Sequence, residues 1–251
     1  MDKIINSYES ISLEEMKCVR LMNRIDTKFV TSYQNLVAFL KLAQSDYFVQ
    51  KIDGEYNMPY YTHYYDTHDC HMYMEHLRGR KRRQKIRVRK YASSGITFLE
   101  IKSKNNKGRT SKKRIDCAQY DADYCQNFVN EHSYYNHEHL KSSLENKFYR
   151  ITLVNRAKTE RLTIDTGLRF HNFDTGKICT FKDLVIIELK RDGNVYSPAL
   201  QMFRELHIHP AKFSKYCMEM AFSDDSLKNN RFKPRMRMVG KMCDFITLDE
   251  F

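Results

Sequence analysis

The chain has 251 residues, 41% of them hydrophobic and 13% aromatic, with a formal net charge of +12. That length supplies hydrocarbon for a sizeable core and is read as one domain over residues 1–251. The charge directs attention to acidic partners: nucleic acid, anionic lipid or phosphorylated metabolites. No apolar run approaches the ~20 residues needed to span a bilayer, and Met1 to Glu15 lacks the basic-then-apolar order of a signal peptide. The seven cysteines are scattered and never spaced as CxxC. This argues for a reducing, cytoplasmic setting and against a disulfide frame or a structural zinc site.

In chain order, Leu13, Met16, Cys18, Leu21 and Met22 recur at helical spacing over 12–23, with Ser12 and Glu15 placed as a capping box. Ser32 caps a second helix whose apolar side carries Leu36, Phe39 and Leu40. A Tyr/Thr-rich strand covers 60–67, and a short helix 69–77. Three strands follow at about 83–92, 96–104 and 109–117, joined by turns at Ser93-Ser94-Gly95 and Asn105-Asn106-Lys107-Gly108 into an antiparallel meander. Residues 120–145 read as helical. A hairpin spans 147–158 and 161–171, and a strand at 182–191 precedes helices near 197–208 and 213–222. The tail beyond Asp224 is basic, then mildly apolar: a last strand or a docked segment.

Four stretches alternate charge and hydrocarbon with a period of two: Lys85 to Arg89, Leu99 to Lys104, Arg161 to Asp165, and Val185 to Lys190. A strand sends successive side chains to opposite faces, so each stretch has one apolar and one charged face. Such a sheet closes most simply into a barrel with charges in the lumen and helices over its apolar outside. The expected fold is therefore α+β, a closed antiparallel eight-stranded β-barrel tunnel with flanking and capping helices.

Parity sorts the cations. Ile86 and Val88 send Arg87 and Arg89 to the charged face, Ile115 and Cys117 send Lys112 and Arg114 there, and Lys113 points away. Two like charges about 5 Å apart repel by roughly 3 kcal/mol at an effective dielectric near 20. A concave surface gathering Arg87, Arg89, Lys102, Lys112, Arg156 and Arg161 needs an anion to offset that cost, and phosphate suits arginine's bidentate fork. Glu100, Asp165 and Glu188 sit among these cations, either as cross-strand salt bridges or as oxygen ligands for Mg2+ or Mn2+. Glu188 is the metal candidate, because Ile187 and Leu189 fix its direction. The i,i+2 pairs His137/His139 and His207/His209 suit surface or capping roles rather than metal binding.

Nine segments in order resemble the VTC-type polyphosphate polymerase domain of the triphosphate tunnel metalloenzymes. They are Arg24-Ile-Asp-Thr-Lys28-Phe-Val, Tyr64-Tyr-Asp-Thr67, Arg87-Val-Arg89, Phe98-Leu-Glu-Ile-Lys102, Lys112-Lys-Arg114-Ile, Asn155-Arg156, Arg161-Leu-Thr-Ile-Asp-Thr166, Ile187-Glu-Leu-Lys190 and Pro210-Ala-Lys212-Phe-Ser-Lys215-Tyr. The resemblance covers about residues 20–222. It implies an enzyme that moves the γ-phosphate of ATP onto a growing polyphosphate chain. Lys28, Arg87, Arg89, Lys102, Lys112, Arg156 and Arg161 would line the tunnel and carry the chemistry. Arg80, Arg114 and Lys190 would add substrate contacts, Lys212 and Lys215 would stand on a terminal helix at the mouth, and Glu188 would hold Mn2+ or Mg2+.

The ExExK signature of the wider superfamily is missing near the N-terminus, which weighs against a simple triphosphatase or cyclase. The implied partners are ATP and polyphosphate, with no nucleic acid, and recruitment of a membrane partner protein is left open. The alternatives are a triphosphatase using the same tunnel, and a non-catalytic polyphosphate- or nucleic-acid-binding module. The latter would favour exposed aromatics and a steep salt dependence.

Overall fold

Each of the four alternating stretches forms a strand. The computed structural model describes residues 1–16, 19, 24–92 and 94–251. Its strands are β1 (Ser10–Ile11), β2 (Arg24–Ser32), β3 (Tyr47–Gln50), β4 (Met58–Thr67), β5 (Arg83–Tyr91), β6 (Thr97–Lys104), β7 (Thr110–Asp116), β8 (Leu140–Asn155), β9 (Glu160–Asn172), β10 (Ile178–Lys182), β11 (Leu184–Asp192) and β12 (Asp244–Leu248). The helices are α1 (Asp2–Ile5), α2 (Leu13–Met16), α3 (Tyr33–Leu42), α4 (His71–Leu77), α5 (Ala122–His132), α6 (Pro198–Glu205), α7 (Lys215–Ser223) and α8 (Lys233–Gly240).

The strands that build the site run β2-β11-β9-β8-β4-β5-β6-β7, each neighbour antiparallel to the next. Strand β9 divides its far edge: residues 160–165 pair with β11, whereas 169–171 pair with β10, which in turn pairs with β12. The sheet curls until its two ends approach, so that Lys85 and Lys102 of the meander feel Lys28 of β2.

It does not close. Strands β2 and β7 form no ladder, and the barrel expected from the sequence is a half-barrel. The edge of β2 that closure would use is taken by the segment leading to α7: Phe29 bridges Pro210, and the Ala211 N–H donates to the Lys28 carbonyl at 2.8 Å.

Helices cover the convex side. Phe39, Leu40 and Phe203 of α3 and α6 pack on Ile151, Leu162, Ile187 and Leu189, while Phe128 and Val129 of α5 pack on Ile86, Leu99 and Ile101. One end of the concave side is filled by α7, whose Tyr216, Cys217, Met218, Met220 and Ala221 are buried against Tyr64, Leu144, Leu168 and Phe170.

Local rules act as the sequence suggests at several points. The Ser32 hydroxyl accepts from the Asn35 N–H at the start of α3. Ser12 and Glu15 form the reciprocal capping box, the Ser12 N–H donating to the Glu15 carboxylate and the Glu15 N–H to the Ser12 hydroxyl. Of the helix expected over 12–23, Leu13–Met16 is helical, and Cys18, Leu21 and Met22 lie outside the described residues.

The region 120–145 departs from expectation. Helix α5 ends at His132, the Tyr134 N–H donates to Gln84 Oε1, and β8 begins at Leu140, seven residues before the hairpin expected at 147. The early part of β8 gains its strand character from pairing with β4, a long-range contact. The basic tail forms α8 and then β12, at the edge of β10.

Candidate functional site

Cross-strand register turns the alternation into rows on the concave face. Lys85 lies opposite Lys102, and Lys102 opposite Lys112; in the next row Arg87, Glu100 and Arg114 are aligned. On the other limb of the curl, Arg161, Lys190 and Asp26 share one row, and Thr163, Glu188 and Lys28 the next. Burial of Ile187 and Leu189 in the outer core forces Glu188 inward. Lys113 points to the convex side, where its ammonium meets His132 Nδ1 at 3.2 Å.

Three carboxylates of the lumen are each shared by two cations, and a fourth, Asp26, meets Arg24 at 2.7 Å. Glu100 takes Arg87 at 2.7 Å and Lys112 at 2.8 Å. Asp165 takes Arg150 through two bonds of 2.6 and 2.8 Å, and also the Lys215 ammonium. Glu188 takes Lys190 at 2.7 Å and the Lys28 ammonium.

Burial alone would raise the Glu100 carboxyl, but Arg87 and Lys112 outweigh it and hold it down at about 2. The same contest leaves Asp165 and Glu188 well below the usual carboxylate range, through Arg150 with Lys215 and Lys190 with Lys28 respectively. All three are therefore ionised at neutral pH.

The carboxylates do not balance the cations. Lys102 is exposed on the concave face and has no ion-pair partner among the described residues; partial desolvation, followed by Lys85 and Lys28, pushes its ammonium down to about 8. Arg161 has a buried Nε without a partner, and its proton affinity is lowered by burial, then by Arg24 and Arg150. Arg89, only 7% exposed, donates Nε to the Thr62 hydroxyl at 3.1 Å and meets no carboxylate. Arg114 lies over the Phe98 ring at 4.3 Å. Of these four only Arg89 is buried and Arg161 half-buried, but like charges gathered on one concave face repel one another unless a ligand offsets them.

Of the residues proposed from sequence, Lys28, Arg87, Arg89, Lys102, Lys112, Arg114, Arg161, Glu188, Lys190 and Lys215 share this concave surface. Three do not. Arg156 follows the end of β8 and turns outward, its guanidinium on Glu9 at 2.6 Å and on the Ser45 carbonyl. Arg80 sits in the exposed turn between α4 and β5, 3.9 Å from Glu75. Lys212 is exposed and precedes α7, beside the Ala211–Lys28 contact, so it is not on the helix.

Two lumen cations were missed. Arg150 shares the inward parity of Phe148 on β8, opposite to buried Ile151 and Leu153, and that alternation was available in the sequence. Lys85 begins the alternating run of β5, and its ammonium donates to the Ser214 hydroxyl at 2.6 Å. Ser214 is the N-cap of α7, so Lys85 ties the lumen to the helix that delivers Lys215.

Among the described residues, no three His, Cys, Asp or Glu side chains converge as a metal cage. Glu188 offers one inward carboxylate. It suits a hard cation that brings its remaining oxygen ligands as phosphate and water.

Against known proteins, the VTC domain model matches residues 23–223. The chain belongs to the VTC domain family. No curated protein matches it. Among solved structures it is similar to HpAC1 from Hippeastrum, a candidate adenylyl cyclase with a dominant triphosphatase activity, at 12% identity and a TM-score of 0.48, covering 82% of this chain and 99% of that one. It is also similar to a candidate adenylate cyclase from Vibrio parahaemolyticus, at 14% identity and a TM-score of 0.45, over 80% and 99% of the two chains. The PH1819 protein of Pyrococcus horikoshii stands at 12% identity and 0.45, over 79% and 99%. Among the described residues, no helix is long and apolar enough to cross a membrane.

Proposed function

We propose that the lumen binds the triphosphate of ATP and transfers its γ-phosphoryl group to the end of a polyphosphate chain. The observation that carries this is the surplus of cations on the concave face, Lys102 and Arg161 above all, which have no ion-pair partner among the described residues. Membership of the VTC domain family supports the same reading.

Phosphoryl transfer asks little covalent help from a protein; positioning and charge neutralisation dominate. The bond from the γ-phosphorus to the bridging oxygen breaks, a terminal phosphate oxygen of the chain bonds to that phosphorus, and ADP leaves. The attacking oxygen is largely ionised near neutral pH, so no general base is required. Arg87, Arg89 and Arg150, whose planar groups are fixed by Glu100, Thr62 and Asp165, hold the phosphates in line. Lys102, Arg161 and Lys215 take up the charge that develops on the leaving oxygen. Glu188 would hold Mn2+ or Mg2+, which would supply charge neutralisation at the transferred group. Lys28 and Lys190 hold Glu188 in place and present their ammoniums to the phosphate oxygens.

Hydrolysis is the second reading, favoured by the unclosed sheet, in which the Lys28 and Lys112 side chains stay 35% and 40% exposed. Incubation with ATP and Mn2+ separates the two. Polymerisation yields ADP and acid-stable chains; free phosphate as the sole product would replace it with a triphosphatase. Glu188→Gln is expected to abolish turnover while triphosphate binding holds or tightens, and unchanged turnover would remove the metal role from Glu188.

A further inference from the structure

The inward-facing rows of cations continue past the lumen. One step beyond Lys85 and Lys102, Arg83 stands opposite Lys104 on the same face. The Arg83 guanidinium donates to the Arg80 carbonyl at 2.6 Å, which leads into the turn where Arg78, Arg80, Lys81 and Arg82 are all exposed.

The chain beyond the residues covered by the family model supplies the facing side. Arg231 donates to the Arg78 carbonyl and lies 3.3 Å from the position a Cβ on Gly79 would take. Arg235 lies over the Phe232 ring, and Phe232 is seated edge-on against Tyr73 of α4.

Half-buried His76, whose Nδ1 is shut off from solvent, lies where these groups meet. Burial first, then Lys85, Arg83, Arg235 and Lys104, push its imidazole down to about 2. One side chain thus senses a lumen cation, two rim cations and a cation of α8. The nearby carboxylate of Glu75 engages Arg78 at 3.5 Å and Arg80 at 3.9 Å. Among the described residues, Lys81, Arg82, Arg83, Lys104, Arg231 and Arg235 have no ion pair at all.

We propose that this rim is a second binding site for the anionic polymer, where a polyphosphate chain too long for the lumen continues across Lys104, Arg83 and Arg231. The proposal rests on the lumen being a polyphosphate site, since continuity of the rows is what links the two. Nucleic acid fits less well. Base stacking needs free aromatic faces, and the exposed ring at this rim, Tyr134, is covered by the Arg82 guanidinium at 4.4 Å.

The test titrates tripolyphosphate, long-chain sodium polyphosphate and single-stranded DNA onto the wild-type chain and two variants, Arg231→Glu/Arg235→Glu and Lys81→Glu/Arg82→Glu. The variants lie on separate segments, so a folding defect in one leaves the other informative. Long-chain polyphosphate is expected to bind the wild type about a hundredfold tighter than tripolyphosphate, at the low end for two linked sites. Each variant should cut that advantage by about tenfold, in line with loss of two phosphate contacts, and leave tripolyphosphate affinity unchanged. A full length advantage retained in both variants would overturn the outer site. So would DNA binding as tightly as long-chain polyphosphate and weakening equally in the variants. Failure of tripolyphosphate to bind the wild type would instead overturn the lumen reading and, with it, the link between sites.

Discussion

Strands β8 and β9 each carry an apolar half and a charged half on the same concave face. On β8, Leu144 and Phe148 give way to Arg150; on β9, Arg161, Thr163 and Asp165 give way to Leu168 and Phe170. A bulge keeps Asp165 and Leu168 on one face: Gly167, at φ +61°, lies beside the register shift between Lys147 and Tyr149. What separates the halves is their cover. Tyr216 and the residues after it bury the apolar half, whereas Lys215, one residue earlier, reaches Asp165. Parity decides which face a residue takes, and the packing partner decides whether that place is hydrocarbon or charge.

The sharpest way to break this comparison is at the junction. Asp165→Ala leaves Arg150 and Lys215 buried without their shared carboxylate, and is expected to cost about 3–5 kcal/mol in urea unfolding. In the apolar half, Leu144→Ala should cost about 3 kcal/mol through the lost side chain and the cavity it leaves, with little effect on triphosphate affinity. On the charged face continued by β6, Lys102→Met should invert that pattern: stability equal to or above wild type, and triphosphate binding largely lost. If Lys102→Met destabilises the fold as Leu144→Ala does, the two halves are not distinct in kind.

A third contrast uses ligand. Tripolyphosphate at a hundred times its dissociation constant should stabilise the wild type by ~2.7 kcal/mol in thermal melts, and Lys102→Met should abolish most of that shift.

The smallest effects are in pH. Lys102 and Lys215 are both pushed down to about 8, by burial first and then by neighbouring cations. Triphosphate binding needs these ammoniums charged, so kcat/KM should fall by up to about tenfold per unit for each of them as pH rises through 8, and Lys102→Arg should halve the slope.

Glu219 gives a stability signature of the opposite half. Burial raises its carboxyl to about 8, although Asn146 donates to both of its oxygens. Its folded pKa lies above the ordinary value near 4.5, so the folded state holds the extra proton between the two. Its contribution is therefore present at the acid end of that window and lost as pH rises through 8. Glu219→Gln should remove that slope from urea midpoints taken between pH 5 and 9.

Much of this was legible in the sequence because alternation is local. The meander β5–β7, the inward direction of Arg87, Lys102 and Lys112, the outward direction of Lys113 and the orientation of Glu188 all follow from neighbours one residue away. The errors came from longer distances. Arg156 sat next to Asn155 in a plausible segment, but the strand ends at Asn155 and Arg156 no longer obeys its parity. Arg150 obeyed parity throughout. The beginning of β8, with Lys141, Ser142 and Ser143, has weak strand character, and only pairing with β4 extends it. Failure of the sheet to close depends on Pro210 and Ala211 occupying the edge of β2, more than 180 positions away in the chain and without a sequence signal of its own.

The Ser214–Lys215–Tyr216 tripeptide joins three duties in consecutive residues: it starts a helix, supplies a lumen cation and seals the hydrophobic end through the Tyr216 hydroxyl, which donates to Asp66 at 2.5 Å. Asp66 in turn accepts from the N–H groups of Met72 and Tyr73 in α4. Durability and the charge of the lumen therefore share one hinge point in this molecule. A substitution there cannot tune the one without disturbing the other, and screens for hardier variants should find few tolerated changes at these three positions.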